Sequence, residues 1–264
     1  MNTKILLLAS MVILSCNSKQ STDTTTSENN TTTKDTTASS TVQDVAASSA
    51  PKNNIPFVYG IDISKYQGDE IEFISSKNDT LTFVICKATE GLTGKDPDFN
   101  TNWNTIDQKG FIRGAYHFYH CGDDPVKQAA HFISVVQAFE AGDFPPIVDF
   151  EETSIDKGCT MAQIQSNLLT FLKQVQEKTG RRPLIYTDHN IGGKYLTNAA
   201  FKDYPLFIAD YRKGNAPAAL PGAWKDMPWT LWQKSESYVV HSTTDDFDIF
   251  NGSQEDLKAF LSRH

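Results

Sequence analysis

The segment that decides the fold is PPIVDFEETSIDKGCTMAQIQSNLLTFLKQVQEKTGRRPLIYT, residues 145–187. It begins with a short apolar run at 146–151, continues with a helical apolar period over 161–179, and ends with a second apolar run at 183–187. Thr160 is a suitable helix N-cap and Gly180 a suitable helix stop. A strand, a helix and a second strand in this order predict two parallel strands joined by a crossover helix.

The same alternation repeats outward from this segment in both directions. Apolar, β-rich runs occur at 57–64, 82–89, 114–120, 146–151, 183–187, 206–211, 229–233 and 246–250, and helical patterns between the first six occur at 70–76, 99–109, 125–141, 161–179 and 192–200. The connections 212–228 and 234–245 are rich in Pro, Gly, Ser and Thr and have no helical period. Eight strands with five helices predict an α/β, TIM-like barrel whose last strands are joined by loops.

The N-terminus has the features of an export signal. One early positive charge, Lys4, precedes an apolar run at 5–14 that is too short to span a bilayer. The run ends in Ile13-Leu14-Ser15-Cys16, which resembles a bacterial lipobox, so residues 1–16 are predicted to be a lipoprotein signal with lipidation at Cys16. An ordinary signal peptide that happens to contain a cysteine is the alternative.

Residues 17–54 are dominated by Ser, Thr, Asn and Asp and contain almost nothing to bury. We expect a disordered tether, because no burial offsets the entropy of ordering such a chain. The folded domain is then 55–264. The expected location is the cell envelope, with a membrane anchor at Cys16 and the domain facing the periplasm.

Charge and cysteines limit the possible partners. The 264 residues carry 24 Lys and Arg against 32 Asp and Glu, a net charge of −8, so no basic field attracts nucleic acid. Three cysteines remain in the body of the chain, Cys86, Cys121 and Cys159. In an oxidising compartment one pair can bridge, and we favour Cys121 with Cys159 because both follow predicted strands, although sequence does not fix the connectivity.

Acidic residues cluster at the predicted strand ends. Side chains alternate along a strand, so Asp149 and Glu151 point to one side of the fourth strand. Asp62 ends the first strand, and Asp246 and Asp248 begin the last. Carboxylates that share a partly desolvated rim raise at least one pKa, which supplies an acid beside an ionised partner, as glycosidic bond cleavage requires.

Aromatic residues occupy nearby strand ends: Tyr116, Phe118, Tyr119, Tyr186, Tyr211, Trp229 and Trp232. We expect about half of them to belong to the barrel core. The others are candidates for stacking against sugar rings, because an aromatic plane with a polar edge suits a pyranose.

Seven motifs in order resemble family 25 of the glycoside hydrolases, the Chalaropsis-type lysozymes. They are GIDISKYQ (60–67), KATEG (87–91), GAYHF (114–118), PIVDFE (146–151), LIYT (184–187), WTLWQ (229–233) and DFDIFNG (246–252). The resemblance implies a (β/α)5(β)3 barrel. It also implies hydrolysis of the β-1,4 bond between N-acetylmuramic acid and N-acetylglucosamine in peptidoglycan.

The resemblance also implies roles for individual residues. Glu151 is the expected general acid, and Asp149 is expected to orient the acetamido group of the substrate for attack. The other two family acids fall on Asp62 and Asp246. Phe150 stands where relatives usually have an aliphatic residue, but it points away from the site. The expected substrate-binding residues are Tyr116, Phe118, Tyr186, Tyr211, Trp232, Glu90 and Asp248, of which Asp248 ranks behind Asp246 as an acid.

Other chemistries are less favoured. His117, His120 and Cys121 lie close in sequence, but alternation puts the two histidines on opposite faces, so no metal site is expected. No nucleophile elbow and no Gly-rich phosphate loop is present. We therefore expect an enzyme without a cofactor that acts as a monomer on glycan strands, with a non-catalytic glycan-binding barrel as the alternative.

Overall fold

The computed structural model describes residues 57–68, 81–240 and 243–264. The predicted signal, Cys16, the tether and the helix at 70–76 lie outside the described residues. Within the described ranges, no helix combines the length and the apolar character needed to cross a membrane.

Nine strands and five α-helices make up the described part of the chain. The strands are β1 (Val58–Ile63), β2 (Leu81–Glu90), β3 (Gly94–Lys95), β4 (Ile112–Phe118), β5 (Ile147–Asp149), β6 (Leu184–Asp188), β7 (Leu206–Ala209), β8 (Leu231–Val240) and β9 (Thr243–Phe250). The helices are α1 (Phe99–Gln108), α2 (Pro125–Val136), α3 (Met161–Thr179), α4 (His189–Tyr195) and α5 (Gln254–Arg263). Short 3₁₀ turns cover Glu152–Ser154, Ala199–Asp203 and Gly222–Trp224.

Eight of the strands close into a barrel. Their order is β1-β9-β8-β7-β6-β5-β4-β2, and β1 pairs with β2 to complete the circle, while β3 only extends the edge of β2. Neighbours in the barrel are parallel except β9, which is antiparallel to both β1 and β8. The predicted α/β barrel is confirmed, and the strands β7, β8 and β9 follow one another without an intervening α-helix.

Strand alternation separates two apolar cores. One lies between the barrel and its helices and includes Val148 and Phe150, which point away from the barrel axis. The other fills the barrel and includes Phe83 and Leu231. Phe260 of α5 packs against Phe144 and Phe250 and so closes the amino-terminal end of the parallel strands. The opposite, carboxyl-terminal end stays open.

The long helix α3 begins and ends where the sequence predicts. Thr160 accepts a hydrogen bond from the Gln163 backbone N–H in a capping box, and Gly180 terminates the helix with φ +71°. Two other helix predictions were wrong at their ends. Helix α2 stops at Val136 rather than 141 because Gln137 adopts a positive φ, and α4 starts at His189 because Asp188 caps it.

Two elements near the C-terminus differ from the prediction. The connection 234–245, predicted as a loop, is mostly paired, because β8 and β9 form an antiparallel hairpin that extends beyond the barrel. Helix α5 was not predicted, although Ser253 accepts from the Asp256 N–H and apolar side chains follow at Leu257, Phe260 and Leu261. Helical spacing of those three residues was the available signal.

The predicted disulfide is confirmed. Cys121 and Cys159 are bonded with their Cα atoms 6.4 Å apart, and Cys86 is a free, buried thiol. The bond joins the loop after β4 to the residue before the N-cap of α3, so it ties two of the segments that lead from the open end of the barrel.

We expect the double substitution Cys121→Ser, Cys159→Ser to lower the free energy of unfolding by about 3–4 kcal/mol. The bond closes a loop with a sequence separation of 38. Without the bond the unfolded chain has a higher conformational entropy, which favours unfolding. Urea denaturation of the oxidised protein, the reduced protein and the variant is the measurement. The reduced protein serves as the control and should match the variant; equal stability of all three would contradict this role.

Candidate active site

The sheet register brings the sequence-predicted acids to one end of the barrel. Asp62 is the penultimate residue of β1 and lies opposite Asp246 of β9. Because β9 is antiparallel, its first residues reach the same mouth as the last residues of the parallel strands. Asp149 ends β5, between Phe118 of β4 and Tyr186 of β6. Alternation directs the interior members of this set toward the barrel axis.

A cleft of about 240 Å³ opens at this mouth. The sequence-predicted residues that line it are Asp62, Tyr116, Phe118, Asp149, Glu151, Tyr186 and Asp246. Residues that were not predicted also line it, among them Tyr66, Lys87 and Gln233. The cleft therefore combines four carboxyl groups with aromatic walls, an arrangement suited to a sugar ring and to acid–base chemistry on it.

Gln233 connects several of these side chains. Its Nε2 donates to Asp62 Oδ2 at 2.6 Å, and its Oε1 accepts from the hydroxyl groups of Tyr186 at 2.8 Å and Tyr211 at 2.6 Å. Gln233 is itself buried. The amide thus fixes the orientation of one acid and two aromatic rings at the same time.

Burial and repulsion between neighbouring carboxyl groups raise the pKa values of Asp149, Asp62 and Asp246. The pKa of Asp149 lies well above its usual value because of burial first, and then because of the charges of Glu151 and Asp62. Among the described residues, no donor reaches Asp149 Oδ1, although that oxygen is buried. A buried acceptor without a donor is costly. Asp149 is therefore prepared to accept a hydrogen bond from a bound molecule.

Asp62 and Asp246 interact directly across β1 and β9. Burial and the neighbouring Asp246 hold the pKa of Asp62 well above its usual value. Burial and the charge of Glu236 raise the pKa of Asp246 to about 6. Close carboxyl groups cannot all ionise together in such surroundings, so this side of the cleft retains protons near neutral pH.

Glu151 occupies a different environment from Asp149. It follows β5 at the start of the 3₁₀ turn Glu152–Ser154, and its side chain is only partly buried. Thr153 Oγ1 donates to Glu151 Oε1 at 2.6 Å, and the Glu151 backbone N–H donates to Ser154 Oγ. The turn places the Glu151 side chain at the edge of the cleft, where it can contact a glycosidic bond that lies at the solvent-exposed surface.

Four expected substrate-binding residues do not line this cleft; one of them, Tyr211, lies beside it, and the other three are Trp232, Asp248 and Glu90. Trp232 is fully buried on the outer face of β8, where its Nε1 donates to the Asp210 carbonyl at 2.8 Å, so it offers no face to a sugar. Asp248 is also fully buried, below Asp62 in the barrel interior. Glu90 lies outside the cleft and pairs with Lys87 Nζ at 2.7 Å.

Tyr211 lines a second cleft, which adjoins the first at Glu151 and Tyr186. Its ring is about half exposed. Gln233 and Lys87, which the sequence analysis did not select, stand at interior positions of β8 and β2. Counting alternate residues from buried Leu231 and Ile85 was the signal that could have found them.

A closed, mostly parallel barrel with a carboxylate-lined, aromatic-walled cleft at the carboxyl ends of its parallel strands is an arrangement suited to a glycoside hydrolase. The family model for glycosyl hydrolases family 25 matches residues 61–243. The chain belongs to that family.

Relatives with stated activities cover most of the chain. An N,O-diacetylmuramidase from Chalaropsis sp. is 32% identical over 213 residues, which is 76% of this chain and 97% of that protein. Lysozyme M1 from Streptomyces globisporus is 30% identical, over 78% of this chain and 71% of that protein. The structure of a family 25 lysozyme from Aspergillus fumigatus superposes with a TM-score of 0.69 at 31% identity, over 78% of this chain and 99% of that one.

Proposed function

We propose that this enzyme is a peptidoglycan hydrolase that cleaves the β-1,4 bond between N-acetylmuramic acid and N-acetylglucosamine. Membership of family 25 and the names of the relatives, muramidase and lysozyme, support the substrate. The observation that carries the chemistry is the buried Asp149 Oδ1, which accepts from no donor in the described part of the chain and lies in the cleft with Glu151.

In this proposal Asp149 accepts a hydrogen bond from the acetamido N–H of the sugar whose glycosidic bond is cleaved. That hydrogen bond satisfies the buried oxygen and turns the acetamido oxygen toward the anomeric carbon. That hydrogen bond and the positive charge that develops on the acetamido group both favour the ionised form of Asp149, whose negative charge then stabilises the acetamido group. Asp62 and Asp246 position the substrate, and Gln233 holds Asp62 in place.

Glu151 acts first as an acid and then as a base. Its proton passes to the glycosidic oxygen as the bond to the anomeric carbon breaks, while the acetamido oxygen forms a bond to that carbon from the opposite face. The leaving sugar departs as an alcohol. Water then attacks the oxazolinium intermediate from the original face and gives a proton back to Glu151, which restores the enzyme.

Two displacements at one carbon predict net retention. We expect the β-anomer as the first product when a fresh digest is followed by proton NMR, with no covalent glycosyl-enzyme on mass spectrometry. Mutarotation of the product afterwards is the internal control. An initial α-anomer would refute this course and would make Asp149 the base for a directly attacking water.

The activity itself is tested by mass spectrometry of fragments released from purified sacculi. Reducing muramic acid ends are the expected result, because they identify both hydrolysis and the bond. Reducing glucosamine ends would assign a different bond. Pelleting with sacculi without any released fragment would favour the alternative, a glycan-binding barrel.

We also propose that the enzyme is attached to an envelope membrane through lipid on Cys16 and that it faces the periplasm. The lipobox-like Ile13-Leu14-Ser15-Cys16 and the polar tether that follows support this location. A tether of that kind lets the domain reach glycan at some distance from the membrane.

For the anchor, we expect native protein to partition into the detergent phase on Triton X-114 separation. Cys16→Ala should move it to the aqueous phase, because the residue that carries the lipid is lost. The matched control is Cys86→Ala, which removes a thiol but keeps Cys16. Wild-type protein in the aqueous phase with an unmodified Cys16 would contradict the proposal.

A further inference from the structure

The second cleft is large and continuous with the first. Its volume is about 800 Å³, against about 240 Å³ for the first cleft. Glu151 and Tyr186 line both, whereas Arg212, His189 and Asn190 line only the second. It is formed by the segments that follow β5, β6 and β7 at the open end of the barrel, and the proposed reaction leaves it without a role.

The positions of Asp149 and Glu151 indicate in which direction a bound glycan strand runs through the two clefts. Asp149, which receives the acetamido group of the sugar being cleaved, lines the first cleft and not the second. Glu151 lines both, and its proton must reach the oxygen that joins the two sugars. The scissile bond therefore lies at the junction, with the acetamido-bearing sugar in the first cleft.

We propose that the second cleft binds the leaving-group side of the glycan, so that the strand lies with its reducing end toward Arg212. This inference rests on the proposed function. The first ring in the second cleft is then N-acetylglucosamine. Because this cleft has more than three times the volume of the first, it has room for further sugars toward the reducing end.

The Arg212 side chain is fixed in position before a ligand binds. Its Nε and one terminal nitrogen donate to the two oxygens of Asp210 at 2.7 and 2.8 Å, and Asp210 also accepts from the Ala218 N–H. The Asp210 side chain is 4% exposed, but that of Arg212 is 56% exposed. Binding therefore loses little side-chain entropy at Arg212, whose exposed edge can donate to hydroxyl or acetyl oxygens.

Tyr211 supplies a fixed apolar surface beside Arg212. Its hydroxyl is bonded to Gln233 Oε1, and its ring is about half exposed. An aromatic face next to a guanidinium is a suitable surface for a neutral pyranose. The acids Glu152 and Asp188 on the same cleft provide acceptors for sugar hydroxyls.

The test uses the hexasaccharide of three GlcNAc-MurNAc repeats, free of peptides and with its reducing end reduced by borohydride. It contains two MurNAc–GlcNAc bonds. Cleavage of the first leaves four sugars on the reducing side, and cleavage of the second leaves two. The reduced end distinguishes all four products by mass. Full-length wild-type enzyme should prefer the first bond, because four sugars fill the second cleft better than two.

Arg212→Ala should lower kcat/KM on this substrate roughly tenfold, the effect of losing one or two hydrogen bonds. It should also shift the cleavage ratio at least threefold toward the second bond. Asn190→Trp, which fills the cleft without disturbing Asp210, should shift the ratio in the same direction. Lys173→Gln on the exposed side of α3 is the control and should leave the ratio unchanged.

A shift toward the first bond would reverse the direction of the strand, and an unchanged ratio in both cleft variants would remove the second cleft from glycan binding. Both results overturn this inference while the enzyme still cleaves. Failure of the wild type to cut either bond or to release fragments from sacculi would instead overturn the proposed function, and this inference with it.

Discussion

Replacing Glu151 by Gln should remove nearly all turnover and leave glycan binding in place. Glutamine keeps the shape of the side chain and its contact with Thr153 but has no proton to give to the leaving oxygen. General acid catalysis contributes about 10²–10⁴-fold, so kcat should fall by that amount with KM little changed. Rates of fragment release from sacculi, together with a pelleting assay for binding, measure the two effects separately.

The matched control for this substitution is Glu152→Gln, which makes the same chemical change one residue later, on a side chain that lines only the second cleft. Its effect on kcat should be much smaller. A loss below about tenfold for Glu151→Gln would transfer the acid role elsewhere. Asp62→Asn and Asp246→Asn should each cost less than Glu151→Gln, and a series in which Asp62→Asn is the worst would overturn the assigned roles.

Asp149→Asn should lower kcat by about 10²–10³-fold, the size of effect seen when one preorganised electrostatic contact to a transition state is lost. Asparagine can still accept the acetamido N–H, but it carries no charge to stabilise the oxazolinium. The loss should therefore appear mainly in kcat. Single-turnover rates on the hexasaccharide measure it without interference from product release.

Glycan whose glucosamine and muramic acid amines are not acetylated provides the control for Asp149. Wild-type enzyme should lose most of its activity on that substrate, since the attacking group is absent, and Asp149→Asn should cost little more. Effects that multiply fully would mean that Asp149 and the acetamido group act independently. That result would remove Asp149 from the substrate-assisted step.

Strand alternation explains which of the expected site residues line the cleft and which do not. Applied to Asp149 and Glu151, it puts both acids on the cleft side, and both line the cleft. Applied to β8, the same rule makes Leu231 and Gln233 interior and Trp232 exterior. Residue type at a strand end favours Trp232 as a sugar-binding side chain, but the alternation count places it outside the barrel and places Gln233 inside.

How deep a side chain lies inside the barrel was harder to predict than which face of the sheet it is on. Asp246 and Asp248 both point into the barrel, but Asp248 lies one pleat deeper, opposite Gly60, and is fully buried. The position of the cleft floor depends on the stagger between β9 and β1, which only the folded register determines. Helix α5 was missed because it lies beyond the last strand, where no further barrel element was expected.

The antiparallel strand β9 has a consequence for when the enzyme becomes active. The ribosome delivers a chain from its N-terminus, so Asp62 of β1 emerges well before Gln233 of β8 and Asp246 of β9. Until β9 inserts between β8 and β1, the sheet has two open edges and the cleft lacks one wall. A chain that has emerged only as far as β8 therefore lacks Asp246 and has no closed cleft, so the site forms only after β9 has been synthesised.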